Sequence, residues 1–252
     1  MKSYNSTSPG TNRILLERKP LKEEIFDFLH QRIIAGTFNP GEWLRQEDIS
    51  KQLGVSQTPV REGLDLLVAS GIAEKIPYRG VRVLQLTQAE IVEAYVMRLL
   101  LECTAAHTAA QFRKESSISK LSLLVEKSRT LVNLNNMSVQ MQLNREFHHT
   151  LVASAENTLL LRLFEIVSHQ FPDWMLYKYL FQHPENLQTS FANELREHQS
   201  ILDALIVKDS HQAQKNVSIH IKNLGNELVN YLEIPQSLIN EKENQILPLH
   251  LL

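Results

Sequence analysis

"GVSQTPVREGLDLL", residues 54–67, decides how this chain is read. Gly54 stops one helix, and Ser56 is a residue type that caps the next. Pro59 falls in the first turn of that next helix, where its missing N–H does no harm. Val60, Leu64 and Leu67 recur on one face and anchor it to a core. Gln57, Thr58 and Arg61 are left on the other face near its N-terminus, where a helix that enters the major groove needs polar groups.

The neighbouring segments fit that reading. Leu21, Ile25, Phe28, Leu29 and Ile33 repeat at helical spacing, and the pattern ends near Gly36 before the turn Asn39–Pro40–Gly41. A short helix over Gln46–Leu53 follows. Beyond the helix that ends at Gly71, two alternating runs, Ile72–Ile76 and Val81–Leu86, flank Pro77–Tyr78–Arg79–Gly80 and predict a β-hairpin. Helix, helix, turn, helix, hairpin is the order of a winged helix-turn-helix. The wing brings Arg79, Gly80 and Arg82 toward a DNA backbone or minor groove. Arg45 suits a backbone contact or a solvated surface equally well.

Thr87 with Glu90 is a capping-box pair opening a long helix to about Phe112. Helical patterns then cover residues 116–132, 138–154, 157–181, 188–207 and 209–232, with Pro172 and Pro184 breaking or kinking the chain. The fold expected is mainly α: a winged helix-turn-helix domain over 15–86, then an antiparallel helical bundle over 87–233. Residues 1–14 are polar and read as a flexible arm, and 234–252 as a tail that either docks or stays loose.

Composition sets the broad class. Of 252 residues, 43% are hydrophobic and 21% charged, which fits a globular chain. The single cysteine, Cys103, rules out an intrachain disulfide and suits a reducing compartment. No apolar run approaches the roughly 18 residues of a membrane span, and residues 1–13 lack the apolar core of a signal peptide. A soluble cytoplasmic protein is expected, without a membrane partner. The net charge of −2 decides little. Residues 1–86 carry two more cations than anions and residues 87–252 four more anions, so any basic surface lies in the N-terminal part.

"GVSQTPVREGLDLLVASGIAEKIPYRGVRV" resembles the recognition helix and wing of the GntR family of bacterial transcription regulators, and "IIAGTFNPGEWL" resembles the segment preceding its helix-turn-helix. Gly36, Pro40–Gly41, Gly54–Val55–Ser56, Thr58–Pro59–Val60–Arg61–Glu62 and Gly80 agree in order and spacing. Arg98 and Leu101–Glu102 resemble the first long helix of the helical FCD effector domain of the FadR-type subfamily. The resemblance implies a homodimeric regulator, more often a repressor, whose DNA contacts come from Arg45, Gln46, Ser56, Gln57, Thr58, Arg61, Arg79 and Gly80. It also implies a small carboxylate effector in the helical domain. The chain departs from the pattern in three places: Gln57 stands where the family has Arg, Gln46 where it has Glu, and Gly63 where it has Ala. Gln matches adenine better than guanine, so the operator is expected to differ at that base. Gly63 is expected to cost about 0.5–1 kcal/mol of helix stability.

Four positions suggest a metal site. Asn144 and His148 share a helix face. His198 lies 11 residues before Asp209 and His220 lies 11 after it. A helical hairpin turning at Lys208–Asp209–Ser210 would hold both imidazoles at one height, about 16 Å from the turn. Three imidazoles and an oxygen could hold Zn²⁺ or Ni²⁺, and structural histidines fit the same spacing. The resemblance implies metal ligation by His148, His198 and His220, with Asn144 where the subfamily has Asp, a substitution that weakens or abolishes binding. Arg98 faces the effector in relatives, and a salt bridge with Glu102 explains it equally well. His30, His169, His211 and His250 read as surface residues, and Cys103 as packing. A metal-dependent hydrolase using the histidines is the alternative function, but no nucleophile–base spacing supports it. A protein-interaction module is a third reading.

Overall fold

The computed structural model describes residues 19–131 and 136–246. The arm expected over residues 1–14 lies outside them, as does His250.

The N-terminal part packs α1 (Leu21–Ile34), α2 (Gln46–Leu53) and α3 (Gln57–Ala69) against a hairpin of β1 (Ala73–Ile76) and β2 (Gly80–Val83). The two strands are antiparallel, with Ala73 opposite Val83 and Ile76 opposite Gly80. Both are shorter than their apolar runs. A third backbone segment joins them: Trp43 bridges Arg82, and Leu44 N–H donates to the Val81 carbonyl at 2.9 Å. Gly54 ends α2 in the left-handed region at φ 65°, which gives the tight turn into α3. Ser56 stands at the N-cap of α3, but its side chain makes no capping hydrogen bond, contrary to expectation. The half-buried Gln46 reaches across instead, its Nε2 donating to the Gln57 carbonyl at 3.1 Å and to the Gln57 Oε1 at 3.2 Å.

Gly63 is a correction. Its cost in helix propensity is real, but a Cβ there would sit 2.8 Å from the Ile25 Cγ2 and 3.2 Å from the Lys22 carbonyl. Glycine lets α1 lie directly on α3. The glycine's close packing is set against its cost in helix propensity.

The second part is a bundle of α4 (Gln88–Phe112), α5 (Glu115–Arg129), α6 (Met137–Ala153), α7 (Thr158–Gln170), α8 (Asp173–Gln182), α9 (Pro184–Ile206), α10 (Ser210–Leu232) and α11 (Gln236–Ile246). Thr87 and Glu90 form the capping box expected of them. The run read as one helix over 157–181 is two, parted at Phe171–Pro172. Pro184 opens α9 at a first-turn position, four residues ahead of the expected start. The core runs between α4 and α10, where Tyr95, Leu99 and Cys103 meet Val217, Ile221 and Leu228.

The tail is a docked helix as far as residue 246. Ile234 and Ile239 are buried, the Tyr95 hydroxyl donates to Glu243 at 2.5 Å, and Lys242 pairs with Glu93 at 2.6 Å. The N-terminal core continues into the bundle: Trp174, Tyr177 and Leu180 of α8 and Met137 and Met141 of α6 belong to the same apolar cluster as Ile25, Leu29 and Leu64. His30 is buried in this seam, stacked on Phe26 and 3.1 Å from the Ser138 hydroxyl, so its reading as a surface residue is overturned. No described helix is long and apolar enough to cross a membrane.

Candidate functional site

The outer face of α3 is open. Gln57, Thr58 and Arg61 are all exposed at its N-terminal end, as are Ser56, Arg45 and the wing residues Arg79 and Gly80. Arg45, Gln46, Gln57, Arg61, Arg79 and Gly80 line one groove, together with Lys75 and Trp43. The sequence reading missed Lys75, whose charge is shared with Asp65 at 3.0 Å. Arg82 differs from expectation. It is half-buried and held by Glu74 at 2.8 Å, so it braces the wing from within. Tyr78 stands fully exposed at the wing tip with φ 63°.

The far end of α3 is tied to the bundle. Arg145 of α6 donates from Nη1 to the carbonyl of Ser70, the C-cap of α3, at 2.8 Å. The same guanidinium makes a two-pronged pair with Asp173 at the start of α8. Next to it, Gly71 lies so close to the His169 carbonyl that a Cβ would approach within 2.4 Å. No sequence signal marks this bridge, because its three members lie in three separate segments.

The three histidines converge as the hairpin argument requires. His148, His198 and His220 are buried, and one ligand nitrogen from each lies within 4.8 Å of the others. Their Nδ1 atoms explain the orientation. The Nδ1 of His148 faces Glu102 Oε2 at 2.5 Å, and that of His220 faces Glu197 Oε2 at 2.6 Å. Burial alone would raise the Glu102 carboxyl, but Arg98 and His148 hold it down to about 2, so it accepts and the imidazole donates. Burial lowers His148 to about 4 against the pull of Glu102, so the ring is neutral at pH 7. A neutral ring that donates from Nδ1 keeps a lone pair on Nε2. The His148 and His220 Nε2 atoms then face each other at 3.2 Å, and the His198 Nε2 is buried without a partner. Phe147 stacks on His198 with centroids 3.9 Å apart and fixes its ring. Lone pairs gathered in a buried space with carboxylates behind them suit a divalent cation such as Zn²⁺ or Ni²⁺.

Beside the triad lies a cavity of about 400 Å³. Arg98, Asn144, His148 and His220 are on its wall, and the Oδ1 of Asn144 is buried without a partner. Arg98 makes the salt bridge expected of it and also lines the cavity. Its Nε pairs with Glu102 at 2.8 Å, its guanidinium lies over the Phe171 ring, and it reaches the cavity. Glu102 and Glu197, which orient the imidazoles, were not read as site residues. The nearest signals were Glu102 four residues after Arg98 and Glu197 beside His198. His149 is exposed and Cys103 is buried, as expected of both.

An exposed helix-turn-helix with a wing, packed on a helical domain that encloses a polar cavity, defines a winged-helix regulator class. Comparison with known proteins agrees. Residues 21–83 match the model for bacterial regulatory proteins of the gntR family, and residues 93–223 match the FCD domain. A relative from Paenarthrobacter nicotinovorans, named "Probable D-xylose utilization operon transcriptional repressor", is 30% identical over 82% of this chain and 88% of its own length. The HTH-type transcriptional regulator YdhC of Bacillus subtilis is 26% identical over 85% of this chain and 93% of its own. Among solved structures, McbR/YncC of E. coli shares the fold with a TM-score of 0.57 at 20% identity, covering 85% of this chain and 100% of that one. The chain belongs to the GntR family, with an FCD domain, and is a transcriptional regulator. The hydrolase reading of the histidines therefore falls.

Proposed function

We propose that this protein represses transcription from an operator bound by α3 and the wing, and releases or tightens it when a small metabolite enters the FCD cavity. The observation that carries the proposal is the exposed polar end of α3, with Gln57, Thr58 and Arg61 beside the wing residues Arg79 and Gly80. Gln57 and Arg61 would read base edges, while Arg45, Ser56, Thr58 and the wing would fix register on phosphates. Gln46 would position Gln57. The protein would work in the cytoplasm, where the operator is.

His148, His198 and His220 would hold a divalent metal, with Asn144 offering a neutral amide oxygen. The metal would supply a Lewis-acidic centre for an effector carboxylate, and Arg98 a second cationic contact. An effector shifts DNA affinity only by as much as it prefers one conformation over another. A homodimer on a short inverted repeat suits the family, and Leu159, Leu163 and Ile166 form an exposed apolar stripe on α7 on which a second copy could bury surface.

The test is fluorescence anisotropy on the DNA upstream of the protein's own gene. Specific binding should survive competitor DNA and weaken steeply with salt, and Arg61→Ala should reduce it by about 1–3 kcal/mol. Absence of sequence-preferring binding at any salt would refute the proposal. Metal analysis of untagged protein, with His198→Ala as the control, tests the metal centre.

A further inference from the structure

The wall of the FCD cavity holds more carboxyl groups than guanidinium groups. Four carboxylates line it, Asp173, Glu194, Glu197 and Glu227, against the guanidinium groups of Arg98 and Arg196. Two of the four are answered. Asp173 is paired with Arg145, and Glu197 is bonded to His220 and to Asn223. Arg98 is occupied by Glu102. Glu194 of α9 and Glu227 of α10 form no ion pair among the described residues. Glu227 accepts only a neutral bond, from the Ser190 hydroxyl at 3.0 Å. Burial, then the charges of Glu227, Glu197 and Asp173, push the Glu194 carboxyl up to about 8 against a neutral hydrogen bond from Gln140, so it keeps its proton at pH 7 until a cation comes beside it.

A separate observation points to a ligand at the same wall. Tyr177 is 5% exposed and lines the cavity, and its hydroxyl, beside Asn144, makes no hydrogen bond of normal geometry. Unpaired carboxyls cost free energy unless a donor, best a cationic one, reaches them. Arg98, and a metal if held by the imidazoles, would suit a carboxylate. The cavity therefore offers both cation-seeking carboxyls and, at Arg98, an anion-seeking group.

We infer that the effector is a small amino-carboxylate, its protonated amine held between Glu194 and Glu227 and its carboxylate turned toward Arg98 and the histidines. The inference rests on the reading of this cavity as the effector site. It assigns Glu194 and Glu227 as the groups that select an amine over a hydroxyl at the same position. A hydroxyl could still donate to either carboxylate, but without the charge that neutralises the pair.

Isothermal titration of the full-length protein with matched probes tests this. Each pair keeps the carboxylate and exchanges amine for hydroxyl: alanine with lactate, serine with glycerate, glutamate with 2-hydroxyglutarate, and 4-aminobutyrate with 4-hydroxybutyrate. At least one amine should bind about tenfold or more tightly than its hydroxyl partner. Glu194→Gln and Glu227→Gln should each erase that preference, with the melting temperature no lower and metal content unchanged. Equal or tighter binding of the hydroxy acids overturns the inference and leaves the effector site standing. Binding of neither series overturns both. A preference for amines that survives both substitutions overturns the assignment of the two glutamates.

Discussion

Arg145 and Asp173 meet through two charge-assisted hydrogen bonds, Nε to Oδ2 at 2.6 Å and Nη2 to Oδ1 at 2.5 Å, and the same guanidinium holds the last turn of the recognition helix through the Ser70 carbonyl. Asp173 lines the FCD cavity, so one side chain, Arg145, links that cavity wall to α3. Arg145→Ala should destabilise the protein by about 2–3 kcal/mol. That is short of the roughly 3–5 expected of a fully buried pair, because 32% of the Arg145 side chain stays open to water. Hydrogen exchange should quicken at residues 66–71 more than across α5. Uniform protection in the two proteins would show that the bridge does not hold the helix.

Gly63→Ala should lower stability by about 1–3 kcal/mol although alanine is the better helix former. The new Cβ would meet Ile25, so Ile25→Ala should cost less in the Gly63→Ala background than in wild type. Denaturant unfolding of the four proteins in that cycle checks it. Additive effects would mean that α1 can move aside.

Glu102 is buried between Arg98 and His148, and it fixes which imidazole nitrogen is free. Glu102→Gln should weaken Zn²⁺ or Ni²⁺ binding about 10–100-fold in chelator competition. Asn144→Asp should strengthen it by supplying a charged oxygen. A Glu102→Gln protein with wild-type metal affinity would remove the orienting role.

Gln57→Arg should move the preferred base facing α3 from adenine toward guanine. Selection of binding sites from random DNA with both proteins reads this directly, and identical preferences would place Gln57 away from the bases.

His30 gives a pH dependence with a defined sign. Burial, and secondarily Arg145, depress it from 6.5 to about 4 in the fold. The unfolded chain therefore takes up the proton first as pH falls. The His30 contribution is full above about 6.5 and is lost progressively down to about 4, by about 3 kcal/mol. His30→Gln should make that part of the profile less steep. Equal slopes between pH 7 and pH 4.5 in both proteins would contradict the assignment.

Local chemistry made much of the fold legible in the sequence. Gly54 in its turn, the Thr87–Glu90 box and the apolar spacing of α3 are fixed by neighbours a few residues away, so they could be read without the rest of the chain. The histidine register was legible for a similar reason: 11 residues on each side of Asp209 is a helical-hairpin statement. Pro172 marked the break between α7 and α8. The docking of α11 was not legible, because its apolar pattern fits a docked helix or a loose tail equally well until Tyr95 and Glu93 supply partners.

What the sequence determined by itself, then, is the order of elements and the reading face of α3, because these follow from backbone propensity and short-range periodicity. Only the tertiary structure decided that Gly63 is a point of contact, that His30 is buried, that Arg145 joins Ser70 to Asp173, and that unpaired carboxyls share a cavity with Arg98. Those facts depend on which distant segments share a small volume. Packing and the neutralisation of buried charge select that arrangement, and in these cases both act between segments far apart in sequence.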